Sequence, residues 1–284
     1  MPSIAVYELH TIETGRFRLD GGAMFGVVPK PLWERKTQAD ERNRIPLAMR
    51  CLLLAGNERV ILIDNGIGDK FDAKFADIYA VDHTHSELHR SLAAAGFSAA
   101  EITDVILTHL HFDHCGGSTR RDDGRVVPAL PNARYHVQRT HWEWAAIPNA
   151  REKASFIGAN FEPLERSGQL RFVDGECELF PGVQIMVVNG HTRGMQLVKV
   201  SGAQETLVFV ADLIPTIAHV PPAWIMGYDV EPLVTLSEKQ AFLSEALKNG
   251  WRLFFEHDPN VEIASLEETS MGIRACGPRP LASF

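Results

Sequence analysis

Thr108-His-Leu-His-Phe-Asp-His114 places four side chains of metal-ligand type within six positions. Imidazole and carboxylate together suit zinc and neighbouring first-row cations, whereas a thiolate site would need clustered cysteines. His109 and His111 are two residues apart, so an extended backbone directs both to one side, where they can share one ion. Asp113 and His114 follow on a tight loop and are displaced enough to reach a second ion. A polar loop with chance histidines is the alternative, and the rarity of histidine disfavours it.

Other residues of ligand type share one sequence context, because each ends a short apolar run. Such runs, bounded by turn signals, predict buried strands. The runs are Val60–Asp64, Asp104–His109, Gln184–His191, Leu207–Asp212 and Arg252–His257. Strands that each deliver a polar residue at their C-terminal edge predict one shared rim where these residues converge. Gly116 and Gly117 follow the first histidine cluster and favour a close approach of backbone to the site.

A resemblance to the metallo-β-lactamase superfamily rests on the histidine-rich run, Gly190-His-Thr-Arg-Gly194, Ala211-Asp212 and Glu256-His-Asp258. These motifs occur in the order and rough spacing that the family shows, and they span essentially the whole chain. The resemblance implies an α/β fold, a four-layer αββα sandwich in which two mixed sheets pack face to face with helices outside. It also implies that residues 1–284 form a single domain of that fold.

A second level of resemblance concerns one branch of this superfamily. Asp20–Trp33, Asn43–Ile45 and Pro131–Arg139 resemble the branch that holds N-acyl-homoserine lactonases and methyl parathion hydrolase. The histidine motif is very specific for the fold and for metal binding. The resemblance to this branch is only moderately specific for the substrate. A homodimer is a further expectation that the family resemblance carries.

The resemblance implies the metal ligands residue by residue. One ion would be held by His109, His111 and His191, the other by Asp113, His114 and His257, and Asp212 would bridge both. Two divalent ions are therefore expected; Zn²⁺ is favoured, and manganese, iron and cobalt stay open because histidine and carboxylate suit them all. Asp64 matches an aspartate that orients a ligand histidine. Its alternative role is only to begin the turn Asp64-Asn-Gly66.

The ligands predict a dinuclear hydrolase in which a hydroxide shared by the two ions attacks a carbonyl or phosphoryl centre. One ion would take up the developing oxyanion, and Asp113 could accept or shuttle a proton. The favoured substrates are N-acyl-homoserine or related lactones. The first alternative is an organophosphate triester, or another ester or thioester. Two non-hydrolytic alternatives on this fold are disfavoured. A diiron redox enzyme usually has a carboxylate at the position of His111. A metal-bound scaffold without activity would be expected to lack at least one ligand, and none is missing here.

One position departs from the best-known lactonases, which carry a tyrosine three residues after the bridging aspartate. This chain has Pro215 there, and proline has no group to donate. His219 and Tyr228, in the loop that follows, are the candidate catalytic replacements. Their alternatives are a surface loop histidine and a packing aromatic residue. The departure bears on lactone specificity and leaves the hydrolase prediction unchanged.

Large apolar residues in segments marked by glycine and proline are candidates for the walls of a substrate pocket: Met24, Phe25, Trp33, Trp224 and Met226. They line an acyl-chain groove or bury a subunit contact, and the sequence does not separate these alternatives. Helices are predicted at Ser86–Ala95, at Arg139–Ala146 and from Ser237 to about Lys248. Trp142 and Trp144, on the second of these helices, are predicted to lie in the core or in an interface.

Composition limits the partners. The net charge of −8 argues against nucleic acid, which requires a basic surface. No apolar run approaches the length of a membrane span, and the N-terminal residues lack the pattern of a secretory signal. Four scattered cysteines without a CxxC pair fit reduced thiols in the cytoplasm. Cys115, beside His114, is expected to be a small packing residue.

Overall fold

A computed structural model describes residues 2–284, so Met1, the first residue of the N-terminal segment discussed above, lies outside the described residues. The strands are β1 (Ser3–Ile4), β2 (Tyr7–Asp20), β3 (Arg44–Gly56), β4 (Arg59–Ile63), β5 (Asp104–Ile106), β6 (Thr119–Asp122), β7 (Arg125–Pro128), β8 (Arg134–Gln138), β9 (Leu170–Val173), β10 (Cys177–Phe180), β11 (Val183–Val188), β12 (Met195–Ser201), β13 (Thr206–Phe209), β14 (Arg252–Phe254), β15 (Ile263–Thr269) and β16 (Gly272–Arg279). The α-helices are α1 (Gly21–Phe25), α2 (Lys30–Trp33), α3 (Ala73–Tyr79), α4 (Leu88–Ala94), α5 (Phe112–Cys115), α6 (Arg139–Ala146), α7 (Glu162–Arg166) and α8 (Pro232–Lys248).

Two mixed seven-stranded sheets confirm the expected α/β architecture. Their orders are β1-β2-β3-β4-β5-β8-β9 and β10-β11-β12-β13-β14-β15-β16, while β6 and β7 form a separate hairpin. Parallel pairing joins β4, β5, β8 and β9 in the first sheet and β13 to β14 in the second. All five apolar runs singled out in the sequence contribute a strand. The strand before Asp64 and the strand before Asp212 are each the fourth of their sheet.

The alternation of side chains along β3 shows why these strands lie between layers. Leu52 and Leu54 face the second sheet and share one hydrophobic cluster with Leu197 of β12. Cys51 and Leu53 face the other way and pack in a second cluster with helices α4 and α7. Because successive side chains of a strand point to opposite faces, a strand covered on both sides has a continuous apolar sequence.

The helices differ from the sequence-based bounds in two places. Helix α4 is capped by Glu87, whose carboxylate accepts two backbone N–H bonds, and not by Ser86. Helix α8 begins at Pro232, five residues before the predicted Ser237 cap, because proline fits the first turn of a helix. Helix α6 has the predicted bounds. None of the helices in residues 2–284 combines the length and apolar character needed to cross a membrane.

Candidate metal centre

The histidine-rich segment leaves the first sheet at the end of β5 and turns into the short helix α5. Close packing of the backbone holds this turn in place: a Cβ atom on Gly116 would overlap the carbonyl oxygen of Ile67, and one on Gly117 would overlap that of Asn65. Neither glycine has a positive φ. The two glycines are therefore needed for the close approach of two backbone segments, as expected, and not for a left-handed turn.

The structure brings the first predicted set of ligands together. Nδ1 of His111 lies 3.0 Å from Nε2 of His109 and 3.2 Å from Nε2 of His191. Asp212 Oδ2 completes the group at 3.1 Å from Nε2 of His191. All four residues are buried. His109 and His191 therefore direct Nε2 to one point, while His111 directs Nδ1 there.

The second predicted set converges beside the first. Nε2 of His114 and Nε2 of His257 are 3.1 Å apart, and Oδ2 of Asp113 lies 3.8 Å and 3.7 Å from them. Asp212 also faces this group, with Oδ1 3.2 Å from His257 and Oδ2 3.5 Å from His114. The Asp212 carboxylate thus stands between the two groups, where a bridging ligand would be placed.

The chemistry of these donors fits two divalent cations. Nδ1 of His114 and Nδ1 of His257 each face an oxygen acceptor, so Nε2 of each neutral ring carries a lone pair and no hydrogen. These two Nε2 atoms, 3.1 Å apart, therefore face each other as two acceptors, an arrangement that a cation between them would satisfy. Oδ1 of Asp212 and Nε2 of His111 are buried without a hydrogen-bond partner. Burial opposes ionisation of Asp212, yet the surrounding His257, His114 and His191 hold the pKa of its carboxyl well below the usual range. A carboxylate among imidazoles is the donor set that zinc and its neighbours prefer.

Carboxylates lie behind the histidines of the first group. Nδ1 of His191 lies 2.8 Å from Oδ1 of Asp229. Nε2 of His111 faces Oε1 of Glu152 at 3.7 Å, and Glu152 itself accepts hydrogen bonds from Thr192 and Trp144. Such partners set the tautomer and orientation of a ligating ring. Asp229 and Glu152 were missed in the sequence because they are 38 and 41 residues from these histidines and end no apolar run.

His114 in the second group faces two carboxylates. Its Nδ1 lies 3.1 Å from Oδ2 of Asp64 and 3.0 Å from Oε2 of Glu256. The contact expected between Asp64 and a ligand-type histidine is therefore present, in addition to a left-handed backbone at Asp64 with φ of 56°. Burial raises the pKa of Glu256 to about 8 against the opposing effect of His114. Nδ1 of His257 lies 2.8 Å from the carbonyl oxygen of Ala48.

A cavity of about 220 Å³ opens above both groups of ligands. His111, His191, Asp113, Asp212 and His257 reach it from below, and Arg151, Glu152 and Ser155 add polar groups at its side. Its other walls are apolar or aromatic: Leu19, Met24, Tyr79, Phe112, Met226 and Tyr228. Of the predicted pocket residues, Met24 and Met226 therefore line the cavity. Phe25 and Trp33 lie buried in the cluster beneath it and stack on each other, and Trp224 lines a different cavity.

The expectation for His219 requires a correction, because the structure does not bring this side chain to the cavity. Its two ring nitrogens lie 2.8 Å from Thr216 Oγ1 and 2.8 Å from the carbonyl oxygen of Met24, and its ring stacks on Phe25 at 4.6 Å. Burial lowers its pKa to about 3. His219 thus holds α1 in place as a neutral ring and has no free nitrogen for a substrate.

Tyr228, the other candidate replacement, does line the cavity, at its half-exposed edge. Tyr79, at the end of α3, lines it as well and packs on Phe112 with ring centroids 4.8 Å apart. Burial raises the pKa of both phenols, and Asp113 adds to the effect. Two neutral hydroxyl groups therefore border the cavity. Tyr79 was missed because its sequence neighbourhood contains no motif.

The remaining tryptophans and Cys115 occupy the places expected from the sequence. Trp142 packs on Phe161 at 5.4 Å in the cluster outside the first sheet, and Trp144 donates its Nε1 hydrogen to Glu152. Cys115 is buried, and its Sγ hydrogen bonds to the carbonyl oxygen of Leu110. Burial raises the pKa of this thiol far above its ordinary value, as for a packing residue.

Comparison with known proteins places this geometry in context. A family model described as the metallo-beta-lactamase superfamily matches residues 46–257. An N-acyl homoserine lactonase of Bacillus cereus is 24% identical over 270 residues, 90% of this chain and 94% of that protein. A probable metal-dependent hydrolase from Staphylococcus aureus has a TM-score of 0.89 at 29% identity, covering 97% of both chains. AidC, a dizinc quorum-quenching lactonase, has a TM-score of 0.81 at 23% identity, covering 98% of this chain and 96% of that one.

Proposed function

The chain belongs to the metallo-beta-lactamase superfamily and is a metal-dependent hydrolase, and we propose that it opens N-acyl-homoserine lactones or related lactones. One observation carries this proposal: the cavity joins a polar floor of ligand-type residues to an apolar wall. A lactone with an acyl chain matches this arrangement: its reactive ring carbonyl would face the polar floor, and its uncharged apolar chain would contact the apolar wall. The lactonase relative from Bacillus cereus, aligned over most of both chains, supports the same substrate class.

We propose that the two groups of ligands hold two divalent cations, with His109, His111 and His191 on one, Asp113, His114 and His257 on the other, and Asp212 between them. Two such ions lower the pKa of a bound water to near 7 and stabilise negative charge on the attacked centre. Zinc is the favoured metal because the donors are imidazole and carboxylate and because AidC is a dizinc enzyme. Manganese, iron and cobalt share these ligand preferences.

The protein side chains around the cavity would orient the substrate and move protons. Asp113 reaches the cavity with its carboxylate and is placed to accept a proton there. Tyr228, at the half-exposed edge of the cavity, can donate a hydrogen bond to the carbonyl or leaving oxygen of a lactone, the role left open by Pro215. Tyr79 offers a second phenol. Arg151 and Ser155 provide donors for the amide oxygen of an acyl chain.

The alternative substrate is an organophosphate triester, and the observation that favours it is Pro215. A chain without the lactonase tyrosine lacks one donor that a lactone carbonyl uses, whereas the same metals can act on phosphorus. The same set of metal ligands would also serve for other esters and thioesters. This alternative and the lactone proposal share every metal ligand and differ only in what the walls of the cavity accept.

A matched substrate panel tests the proposal. The metal-replete enzyme is assayed with short- and long-chain homoserine lactones, a simple δ-lactone, paraoxon, a thioester and a cephalosporin. A kcat/KM above about 10⁴ M⁻¹s⁻¹ on lactones, with much weaker action on the others, supports the lactonase. A lactone rate near background together with a strong phosphotriester or thioester rate would retain the metal site and reject the substrate.

Three wider properties complete the proposal. We expect residues 1–284 to form one domain, since the metal ligands come from both sheets. A homodimer is expected from the family resemblance, and sedimentation at micromolar concentration tests it. A cytoplasmic location is expected because the sequence has four scattered cysteines without a CxxC pair.

A further inference from the structure

A second cavity lies apart from the metal centre and is the larger of the two. Its volume is about 630 Å³, and none of its lining residues belongs to the cavity above the metal ligands. Most of its lining is apolar, including Ile217, Pro221, Trp224, Val261 and Ala275. Small-molecule sites in proteins have volumes of about 300–1,000 Å³ and mainly apolar walls. The proposed catalytic reaction makes no use of this cavity.

Hydrogen bonds that are buried or partly buried hold the walls of this second cavity in a fixed shape. Asp258 accepts the backbone N–H groups of Ile217, Asn260 and Val261 at 3.0, 2.9 and 2.8 Å. Arg50, itself buried, donates to the carbonyl oxygens of Asp258 and Val261 at 2.8 and 3.0 Å. These bonds join the segment after Asp212 to the segment after His257. The cavity is therefore preformed and does not require an ordering step before a ligand enters.

The charges in the lining of the second cavity that have no partner are positive. Lys36 and Arg274 line it, and within residues 2–284 neither forms an ion pair; Arg274 has only a long contact of 3.5 Å to the carbonyl oxygen of Met271. Asp258 is the one acidic residue in the lining, and both of its oxygens already accept backbone hydrogen bonds. Two free cations above an apolar wall stand out in a chain whose net charge is −8.

We propose that this cavity binds a small amphipathic anion, a carboxylate that carries an acyl chain. The apolar wall formed by Ile217, Trp224 and Val261 would cover the chain, because removing apolar surface from water is favourable. The carboxylate would lie between Lys36 and Arg274, where charged donors form the stronger hydrogen bonds. A neutral ligand would leave these cations without a partner, and a strongly hydrophilic anion would leave the wall uncovered. The site is independent of the substrate proposed for the metal centre.

Calorimetric titration of the metal-replete protein with sodium octanoate tests the site, with 1-octanol as the neutral probe. We expect octanoate to bind with a Kd of roughly 10–100 µM and 1-octanol at least tenfold more weakly. The double variant K36A/R274A should weaken octanoate binding at least tenfold. The control variant R120A/R125A removes two exposed cations elsewhere, with the same change in net charge, and should bind octanoate like the unmodified protein.

A second variant separates this cavity from the metal centre, which also attracts carboxylates. A275W places a large side chain in the second cavity from strand β16 and should weaken octanoate binding at least tenfold while hydrolysis of the best substrate is retained. Failure to bind octanoate at millimolar concentration overturns the proposal. Octanoate binding that neither variant changes also overturns the proposal, since octanoate would then lie on the metals. Equal binding of octanoate and 1-octanol overturns it as well. A change of oligomeric state in K36A/R274A would assign this face to a second copy of the chain and also overturn it.

Discussion

Asp64 and Asp212 occupy equivalent places in the two sheets, yet their carboxylates have different surroundings. Each follows the fourth strand of its sheet, beside a strand that runs parallel to it. A left-handed backbone residue lies at or next to each aspartate: Asp64 itself has φ of 56°, and Ala211, which precedes Asp212, has φ of 42°. Residues with side chains rarely adopt this conformation without compensation. The backbone thus takes this uncommon conformation at or next to the aspartate in both halves.

The difference lies in the hydrogen-bond donors around each carboxylate. Asp64 accepts the backbone N–H and the hydroxyl of Thr108 at 2.7 and 2.6 Å, so it lies outside the two predicted groups of ligands and faces one member of them, His114. Asp212 Oδ1 has no hydrogen-bond partner, and both oxygens face imidazole nitrogens. Topology therefore brings a carboxylate to the rim twice, and the local donors decide whether it supports a ligand or is free to act as one.

The largest effect is expected at Asp212. The variant D212N removes the negative charge between the two groups of ligands with little change in shape. We expect kcat/KM to fall by more than about 100-fold and the amount of bound metal to decrease. This loss is larger than the usual effect, about 10- to 100-fold, of removing a residue that only hydrogen-bonds to a metal ligand. Activity assays and elemental analysis measure this, with the exposed D122N as the control. Full turnover in a folded D212N enzyme would show that Asp212 is not a bridging ligand.

A smaller effect is expected at Asp64. Asparagine tolerates a left-handed backbone, so D64N keeps the backbone turn and removes one of the two carboxylates that face Nδ1 of His114, leaving Glu256. Metal affinity should fall about 10- to 100-fold, while kcat at saturating metal is largely retained. Competition with a chromogenic chelator measures the affinity. If D64N and D212N lost activity equally at saturating metal, the division between a supporting and a ligating carboxylate would be wrong.

A still smaller effect is expected at Tyr228, in the segment that follows Asp212. Y228F removes one hydroxyl from the cavity and keeps the ring, so kcat for the best substrate should fall about tenfold, the cost of one hydrogen bond to developing charge. Y79F is the matched variant at the other phenol that lines the cavity. Steady-state kinetics with both variants identify which phenol acts. Unchanged kcat in the double variant would exclude a catalytic role for either hydroxyl.

The smallest effect concerns Lys239 of α8, which holds the segment after Asp212 by donating to the carbonyl oxygen of Trp224 at 2.7 Å. Burial lowers its pKa to about 7. Between pH 7 and the ordinary lysine pKa, the unfolded state binds the additional proton, so the free energy of unfolding should rise with pH. K239M should reduce that slope by up to about 1.4 kcal/mol per pH unit. Urea unfolding at pH 7 and 9 measures it, with the exposed K248M as the control; equal slopes in all three proteins would contradict the assignment.

Much of the candidate metal centre could be predicted, because the residues that the structure brings together there follow local rules. His109 to His114 are close in sequence, and His191, Asp212 and His257 each end a short apolar run, so strand ends and ligand chemistry suffice to select them. The same runs predict the strands on which both sheets depend. The supporting residues Asp229, Glu152 and Tyr79 could not be found in this way. They reach the site from loops and helix ends, whose sequences carry no periodic signal.

By itself, the amino-acid sequence determined the chemistry of this protein: the donor atoms, the buried strands and the fold that brings them to one rim are encoded in residue types and short spacings. Only the tertiary structure decided the roles of the single side chains. It turned His219 away from the cavity, brought Tyr79 to it, and separated Trp224 into a second cavity. The physical reason is that a side chain's role depends on which donors and acceptors surround it, and those partners come from distant parts of the chain.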